Sequence, residues 1–309
     1  MKKMKNETHI EGFLYEHNLA IRVTGDTAKT PGVTYIRGSI GIATDDECLN
    51  VVPVYFSYVT KTTAAGATNN TFTILEKIAN GQIKNIMADG KEEAAMLRID
   101  SAIALNEWYK DDELISTKRN EGGFIHQVSS LCDEALRGTF ETDIIINSCV
   151  RKEADEEKNI PEKVIVRGGI FNFKKEFLPV EFSVLHPGAM NYFESLDASK
   201  TNPVFTRVKG IQKSQTIVRR IEEESAFGEP SVRTTTSSYK DFVINWAQPD
   251  PYEWDSEDTI LASELVDALS AREIHKAELK RKADEYKDSN KGAAATPAPT
   301  TTAKTDYKF

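Results

Sequence analysis

The chain carries the same pattern twice, and that duplication limits its architecture more than any other feature. Tyr35-Ile36-Arg37-Gly38-Ser39-Ile40 is matched by Ile165-Val166-Arg167-Gly168-Gly169-Ile170, and Pro53-Val54-Tyr55-Phe56-Ser57 by Pro179-Val180-Glu181-Phe182-Ser183. The offset is 130 residues at the first pair (167 minus 37) and 126 at the second (179 minus 53), which places a four-residue loop difference between two strands. Phe72 and Leu75 against Phe193 and Leu196, and Leu97-Arg98-Ile99 against Thr206-Arg207-Val208, continue the series in order. A period this long describes two tandem domains, since solenoid repeats run roughly 20 to 50 residues.

Each copy is rich in strands. In the first, Gly12 to Val23, Val33 to Ala43 and Val51 to Thr60 carry alternating or β-branched apolar residues, separated by Gly, Asp and Asn. Phe72, Leu75 and Ile78 fall three apart and define one face of a short helix over Thr71 to Ile78. Strands resume at Ala95 to Tyr109 and Leu114 to Arg119 around the hairpin-like Lys110-Asp111-Asp112-Glu113. The second copy predicts strands at Thr139 to Val150, Lys163 to Phe173, Leu178 to Leu185, Val204 to Lys213 and Ser214 to Glu222, with a helix over Ala189 to Asp197.

Three strands, a helix and two strands is the layout of the OB-fold, a partly open Greek-key barrel that binds oligonucleotides. Another small β-barrel or sandwich is the alternative. The expected fold class is therefore mostly β: two tandem OB-like barrels, then a C-terminal helix and a disordered tail. The expected boundaries are an extension over residues 1–9, barrels over 10–136 and 137–250, helix over 251–288 and tail over 289–309. Ser256-Glu257-Asp258-Thr259 supplies an N-cap followed by acids, and Ile260, Leu261, Leu265, Leu269 and Ile274 form an apolar stripe along that helix. Gly292 to Lys304 is an Ala, Thr and Pro tract unable to build a core.

Several function classes find no support. No apolar run approaches membrane-spanning length, and Met1-Lys2-Lys3-Met4-Lys5 leads into polar residues, so an intracellular protein is expected. Cys48, Cys132 and Cys149 form no CxxC pair, and the five histidines complete no zinc spacing, so neither metal nor other cofactor is expected. Neither GxxxxGK[ST] nor a strand-linked GxGxxG is present. Asp45-Asp46 and Asp111-Asp112 read as turn residues, and His126 has no nucleophile beside it in sequence, so no enzyme is expected.

The net charge of −9 opposes a uniformly basic DNA-binding surface. The excess is uneven, however: residues 101–150 hold nine acids against four bases and residues 251–309 twelve against nine, together −8. The remainder is near neutral and forms a basic groove if its cations sort to one face. Candidates are Arg37, Arg98, Lys118 and Arg119 in the first copy, and Arg207, Lys209, Lys213 and Arg219, with neighbouring Arg220, in the second. Arg207, Lys209 and Lys213 share one face of a period-two strand. Bases stack on aromatic rings at roughly 1 to 3 kcal/mol each, whatever the sequence. Trp108 and Tyr109 at the hairpin, and Phe171 and Phe173 on one strand face, are the candidate platforms, whereas Phe56 and Phe182 at matching positions read as core.

A barrel followed by a low-complexity linker and a tip ending in Phe resembles bacterial and phage single-stranded DNA-binding proteins. More broadly, Glu11-Gly12-Phe13-Leu14-Tyr15-Glu16-His17-Asn18-Leu19 through Thr71-Phe72-Thr73-Ile74-Leu75 resembles tandem OB-type binding proteins encoded by phages of Gram-positive hosts. The resemblance implies a non-catalytic binder of single-stranded DNA in host cytoplasm, acting in replication or recombination, with protein partners at the C-terminal helix or tail. A tip that docks partners carries several acids in that family, whereas Asp306-Tyr307-Lys308-Phe309 has one acid and one Lys. The competing reading is a phage structural or assembly adaptor whose barrels bind protein.

Overall fold

In the computed structural model, residues 4–155, 160–223, 231–256 and 259–291 are described, with backbone alone for 215–223, 231–239 and 288–291. The first copy forms β1 (Asn6–His17), β2 (Ala20–Val23), β3 (Thr34–Ala43), β4 (Val51–Thr60), α1 (Asn70–Ala79), α2 (Ile86–Asp89), β5 (Met96–Lys110) and β6 (Glu113–Gln127). Strand β1 pairs antiparallel with β3 and β3 with β4. Strand β4 meets β6 in parallel at Val54↔Asn120 and Tyr55↔Glu121, and β6–β5 and β5–β1 close the ring. The second copy forms β7 (Thr139–Lys152), β8 (Lys163–Phe171), β9 (Phe177–Val184), α3 (Pro187–Ser195), β10 (Val204–Glu223) and β11 (Ser231–Ala247). Its ring repeats that order, including the short parallel contact, here Val243↔Ser183 and Ile244↔Val184 between β11 and β9. Two five-stranded rings, each with a helix between the third and fourth strands, give the OB arrangement twice.

The repeated residues mark equivalent positions. Arg37-Gly38 lies in β3 and Arg167-Gly168 in β8, while Pro53 lies in β4 and Pro179 in β9. The repeated glycine has a steric cause: a Cβ on Gly168 would lie 2.2 Å from the Ile145 carbonyl oxygen, and one on Gly38, at φ +135°, 2.6 Å from that of Asn18. Ile10, Leu14, Ile40, Val54, Phe56, Phe72 and Leu75 fill the first barrel. Phe140, Ile144, Val166, Phe182, Met190 and Phe193 fill the second, with Phe140 and Phe182 stacked at 5.1 Å.

The barrels are joined through their backbones, because β1 also pairs with β7 from Asn6↔Thr142 to His9↔Thr139, so the strands among the described residues belong to one eleven-stranded sheet. Side chains reinforce the seam. Asn50 Nδ2 donates to the Gln212 carbonyl at 3.0 Å, Ser214 N donates to Asn50 Oδ1 at 2.6 Å, and Asn120 Nδ2 donates to Gln212 Oε1 at 2.7 Å.

Three expectations change. Asn18-Leu19 breaks Gly12 to Val23 into β1 and β2. Ser214 to Glu222 continues β10, and the fifth strand of the second barrel is β11. Lys213-Ser214 holds none of the Gly, Pro or Asn that turns a hairpin, and the next such signal in sequence is Gly228-Glu229-Pro230. The C-terminal helix, α4 (Ala262–Lys291), starts later than Ser256 because the preceding segment packs on the second barrel. Tyr252 and Trp254 lie 4.7 and 5.8 Å from the Phe205 ring, and Ile260 is fully buried beside Phe171. Leu265 and Ala268 pack there, and Arg272 is buried one turn on, whereas Leu261, Leu269 and Ile274 of the expected stripe are exposed. Among the described residues no helix is long and apolar enough to cross a membrane.

Candidate nucleic-acid interface

The β5–β6 hairpin of the first barrel turns at Asp111 and Asp112, both at positive φ (50° and 65°), as a two-residue hairpin turn of this hand demands. Its β6 strand leans over the second barrel. Lys118 Nζ lies 4.5 Å from the Phe182 ring and 4.7 Å from that of Phe242, and it donates to the Glu181 carbonyl. Burial pushes this ammonium down to about 8, with Asp241 and Glu181 opposing the fall and Lys163 adding to it.

A cleft opens around Lys118. Two adjoining hollows of about 820 and 300 Å³ share Lys118, Lys240 and Asp241 in their walls. The larger runs over the outer faces of β8 and β9, where Lys163, Ile165 and Arg167 alternate with buried Val164 and Val166, and it takes in Asn147, Ser148 and Lys200. The smaller lies against the first barrel at Tyr55, Arg119 and Asn120 and against Lys213 of β10. Among the described residues the walls hold seven cations (Lys118, Arg119, Lys163, Arg167, Lys200, Lys213 and Lys240) and two acids, Glu181 and Asp241. The acids are engaged: Glu181 Oε1 accepts from Arg167 Nε at 2.6 Å, and Asp241 Oδ2 pairs with Lys163 Nζ at 3.1 Å and accepts from Ser183. Among the described residues, seven against two leaves an excess of five positive charges lining one groove of an acidic protein. Such focusing attracts a polyanion, and neutral donors such as Asn147 and Ser148 suit phosphate oxygens.

Of the cations named from sequence, Lys118, Arg119 and Lys213 line this cleft. Arg119 is partly engaged, donating to Glu121 Oε2 at 2.7 Å and lying 5.2 Å from the Tyr55 ring. Arg207 lies elsewhere, donating to both oxygens of Asp143 at 2.7 and 3.1 Å, and that hydrogen bonding holds its guanidinium above the ordinary range. Lys209 is 3.6 Å from Glu141 and 4.9 Å from the Trp246 ring, so Arg207 and Lys209 face the acids of β7 and do not line the groove. Arg37 is exposed on β3, and Arg98 sits 3.5 Å from Asp100; neither lines the cleft. The side chain of Arg219, like that of Arg220 and the tip Asp306 to Phe309, lies outside the described residues.

The aromatic candidates divide as well. Phe171 is 1% exposed in the core against Phe177 and Phe205, which removes it as a stacking platform. It shares no strand face with Phe173, because β8 ends at Phe171 and Phe173 lies on the following turn, 86% exposed. Trp108 and Tyr109 stand near the hairpin tip, outside the cleft. A further crevice of about 790 Å³ meets the cleft at Leu105 and exposes Phe173 and Tyr58 beside Lys174, Lys175 and α4.

Sequence reading missed Lys163, Arg167, Lys200 and Lys240. Alternation with Val164 and Val166 was a usable signal for Lys163 and Arg167. Lys240 was hidden because its strand was not recognised, and Lys200 lies between α3 and β10, where periodicity is silent.

The chain is similar to two solved structures of the single-stranded DNA-binding protein from Thermus aquaticus. A deletion mutant shares 11% identity at a TM-score of 0.45, covering 83% of this chain and 100% of that one. The wild-type structure shares 11% identity at 0.44, covering 80% and 93%. No curated protein matches. The YorF family model matches residues 5–285, nearly the whole described chain, and the protein therefore belongs to the YorF family.

Proposed function

We propose that this protein binds single-stranded DNA without sequence preference, is non-catalytic and phage-encoded, and acts in replication or recombination in host cytoplasm. The observation that carries the reading is the sorting of seven cations against two acids into one cleft between two OB-type barrels of an acidic chain. The strand's phosphates follow the outer faces of β8 and β9, and its bases reach Tyr55, Phe173 and Tyr58 along the groove and the adjoining crevice. Cations that touch only phosphate give affinity without reading sequence.

The adaptor reading is favoured by one feature, the exposed Leu261, Val266, Leu269 and Ile274 of α4. In the binding reading these residues serve protein partners.

Fluorescence anisotropy of labelled oligo-dT, beside its duplex form and at two salt concentrations, tests the proposal. Salt-sensitive binding of the single strand, far weaker binding of the duplex, and a loss of about tenfold or more in Lys200→Glu and Lys240→Glu are expected. No binding at micromolar protein in low salt rejects the reading in favour of the adaptor.

A further inference from the structure

A cluster of metal-ligating groups lies away from the cleft. His9 and Glu11 occupy successive same-face positions of β1, and Cys132 lies on the segment between β6 and β7 that links the barrels. Their donor atoms all lie within 4.8 Å of one another. Glu11 is 6% exposed, yet among the described residues no Lys or Arg lies within ion-pair distance of it. Arg98, opposite Glu11 in the β1–β5 ladder, is 3.5 Å from Asp100, and Arg137 donates to the Cys132 carbonyl and to Asp46.

The imidazole makes the case sharper. His9 Nδ1 is 3.0 Å from Asp100 Oδ1, and in the tautomer with its proton on Nδ1 the ring donates to that carboxylate. Nε2 is then left with a lone pair, 3.4 Å from Glu11 Oε2. Glu11 Oε1 accepts from the Cys132 backbone N–H at 2.6 Å, and Oε2 faces Nε2, where a proton or a metal ion would bridge the two lone pairs. A metal ion at that place would also take the Cys132 thiol as a third ligand, which a proton would not.

We propose that His9 Nε2, Glu11 and Cys132 Sγ bind a zinc ion, with Asp100 orienting His9. Nitrogen, carboxylate oxygen and thiolate sulfur is a zinc donor set, and three protein ligands leave a fourth position for water. With bonds of about 2.0–2.3 Å, tetrahedral ligands stand about 3.3–3.8 Å apart, so closure requires side-chain shifts of only about 1 Å. The Asp100 contact is the carboxylate–histidine pairing that fixes the tautomer at zinc centres. Bound zinc ties the inter-barrel segment to β1. No sequence spacing announces the site, since 121 residues (132 minus 11) separate two of the ligands.

The test uses the full chain stripped with EDTA and dialysed, titrated with zinc against a chromophoric chelator and, separately, with cobalt(II) as an optical probe. One equivalent of zinc and a thiolate-to-cobalt charge-transfer band are expected. Both are lost in Cys132→Ser and His9→Gln, retained in Cys48→Ser, and weakened about 10–100-fold in Asp100→Asn. Circular dichroism of each variant without metal establishes that it is folded. Absence of stoichiometric zinc binding in the parent chain, or its survival in folded Cys132→Ser, overturns the proposal and leaves a proton between His9 and Glu11.

Discussion

Lys118 concentrates the chemistry of the cleft in one side chain. Its ammonium titrates at about 8 when folded, against an ordinary 10.5, because burial against Phe182 and Phe242 disfavours the charge. A lowered lysine pKa makes the charged form a cost to folding below about 8, and that cost fades as pH rises toward 10.5. Lys118→Met is accordingly expected to stabilise the protein at pH 7 by about 1–3 kcal/mol and to change it little at pH 10.5. Urea unfolding at the two pH values measures this, and parallel stability curves for parent and variant refute it. Residue identity alone did not show which cations line the cleft. Lys118 was legible as a cation on a strand, and Arg207 looked equivalent; the difference is Asp143, 64 residues away, which engages one and not the other. Phe171 failed as a platform for a similar reason, since residues that cover it, Tyr252, Trp254 and Ile260, come from far along the chain.

The helix α4 is held to the first barrel's hairpin by one buried ion pair. Arg272 donates to both oxygens of Glu107, whose side chain is 6% exposed against 8% for Arg272, and His275 stands 3.9 Å from the same carboxylate. The Arg272 contact holds Glu107 below the usual carboxylate range, although burial alone would raise it. Removing one partner strands a buried charge, so Arg272→Ala is expected to cost about 3–5 kcal/mol or to release the helix. Amide hydrogen exchange in α4 reports the release, and Glu107→Gln with Arg272→Met should recover most of the protection. The helix itself was legible in sequence, but its contact face was not. An apolar stripe was the natural guess, while the face that docks carries Leu265, Ala268 and a charged Arg272 whose partner lies on the other barrel. The strand β11 was missed because β10 runs on for 20 residues without a turn, and strand-length expectation divided it.

At the scale of the molecule, duplication was readable because both copies must close the same five-strand ring, and closure demands the same glycine and the same apolar alternation in each. The cleft was not readable, because it lies between the rings and draws its walls from strands of both barrels, among them β4, β5 and β6 of the first and β7 to β11 of the second. Its excess of five charges predicts how binding responds to salt: with about −0.7 per phosphate neutralised on a single strand, log affinity against log salt should fall with a slope of about −3.5. Lys163→Ala and Lys200→Ala should each make the slope shallower by about 0.7. A flat response places the bound strand elsewhere. Separate domains ordinarily drift relative to one another. Here main-chain hydrogen bonds between β1 and β7 and the Asn50–Gln212 stitching make the groove a track of fixed gauge. In the proposed binding, a strand entering it would meet walls already set at their working distance, so the ordering would be done when the chain folds and not when the ligand arrives.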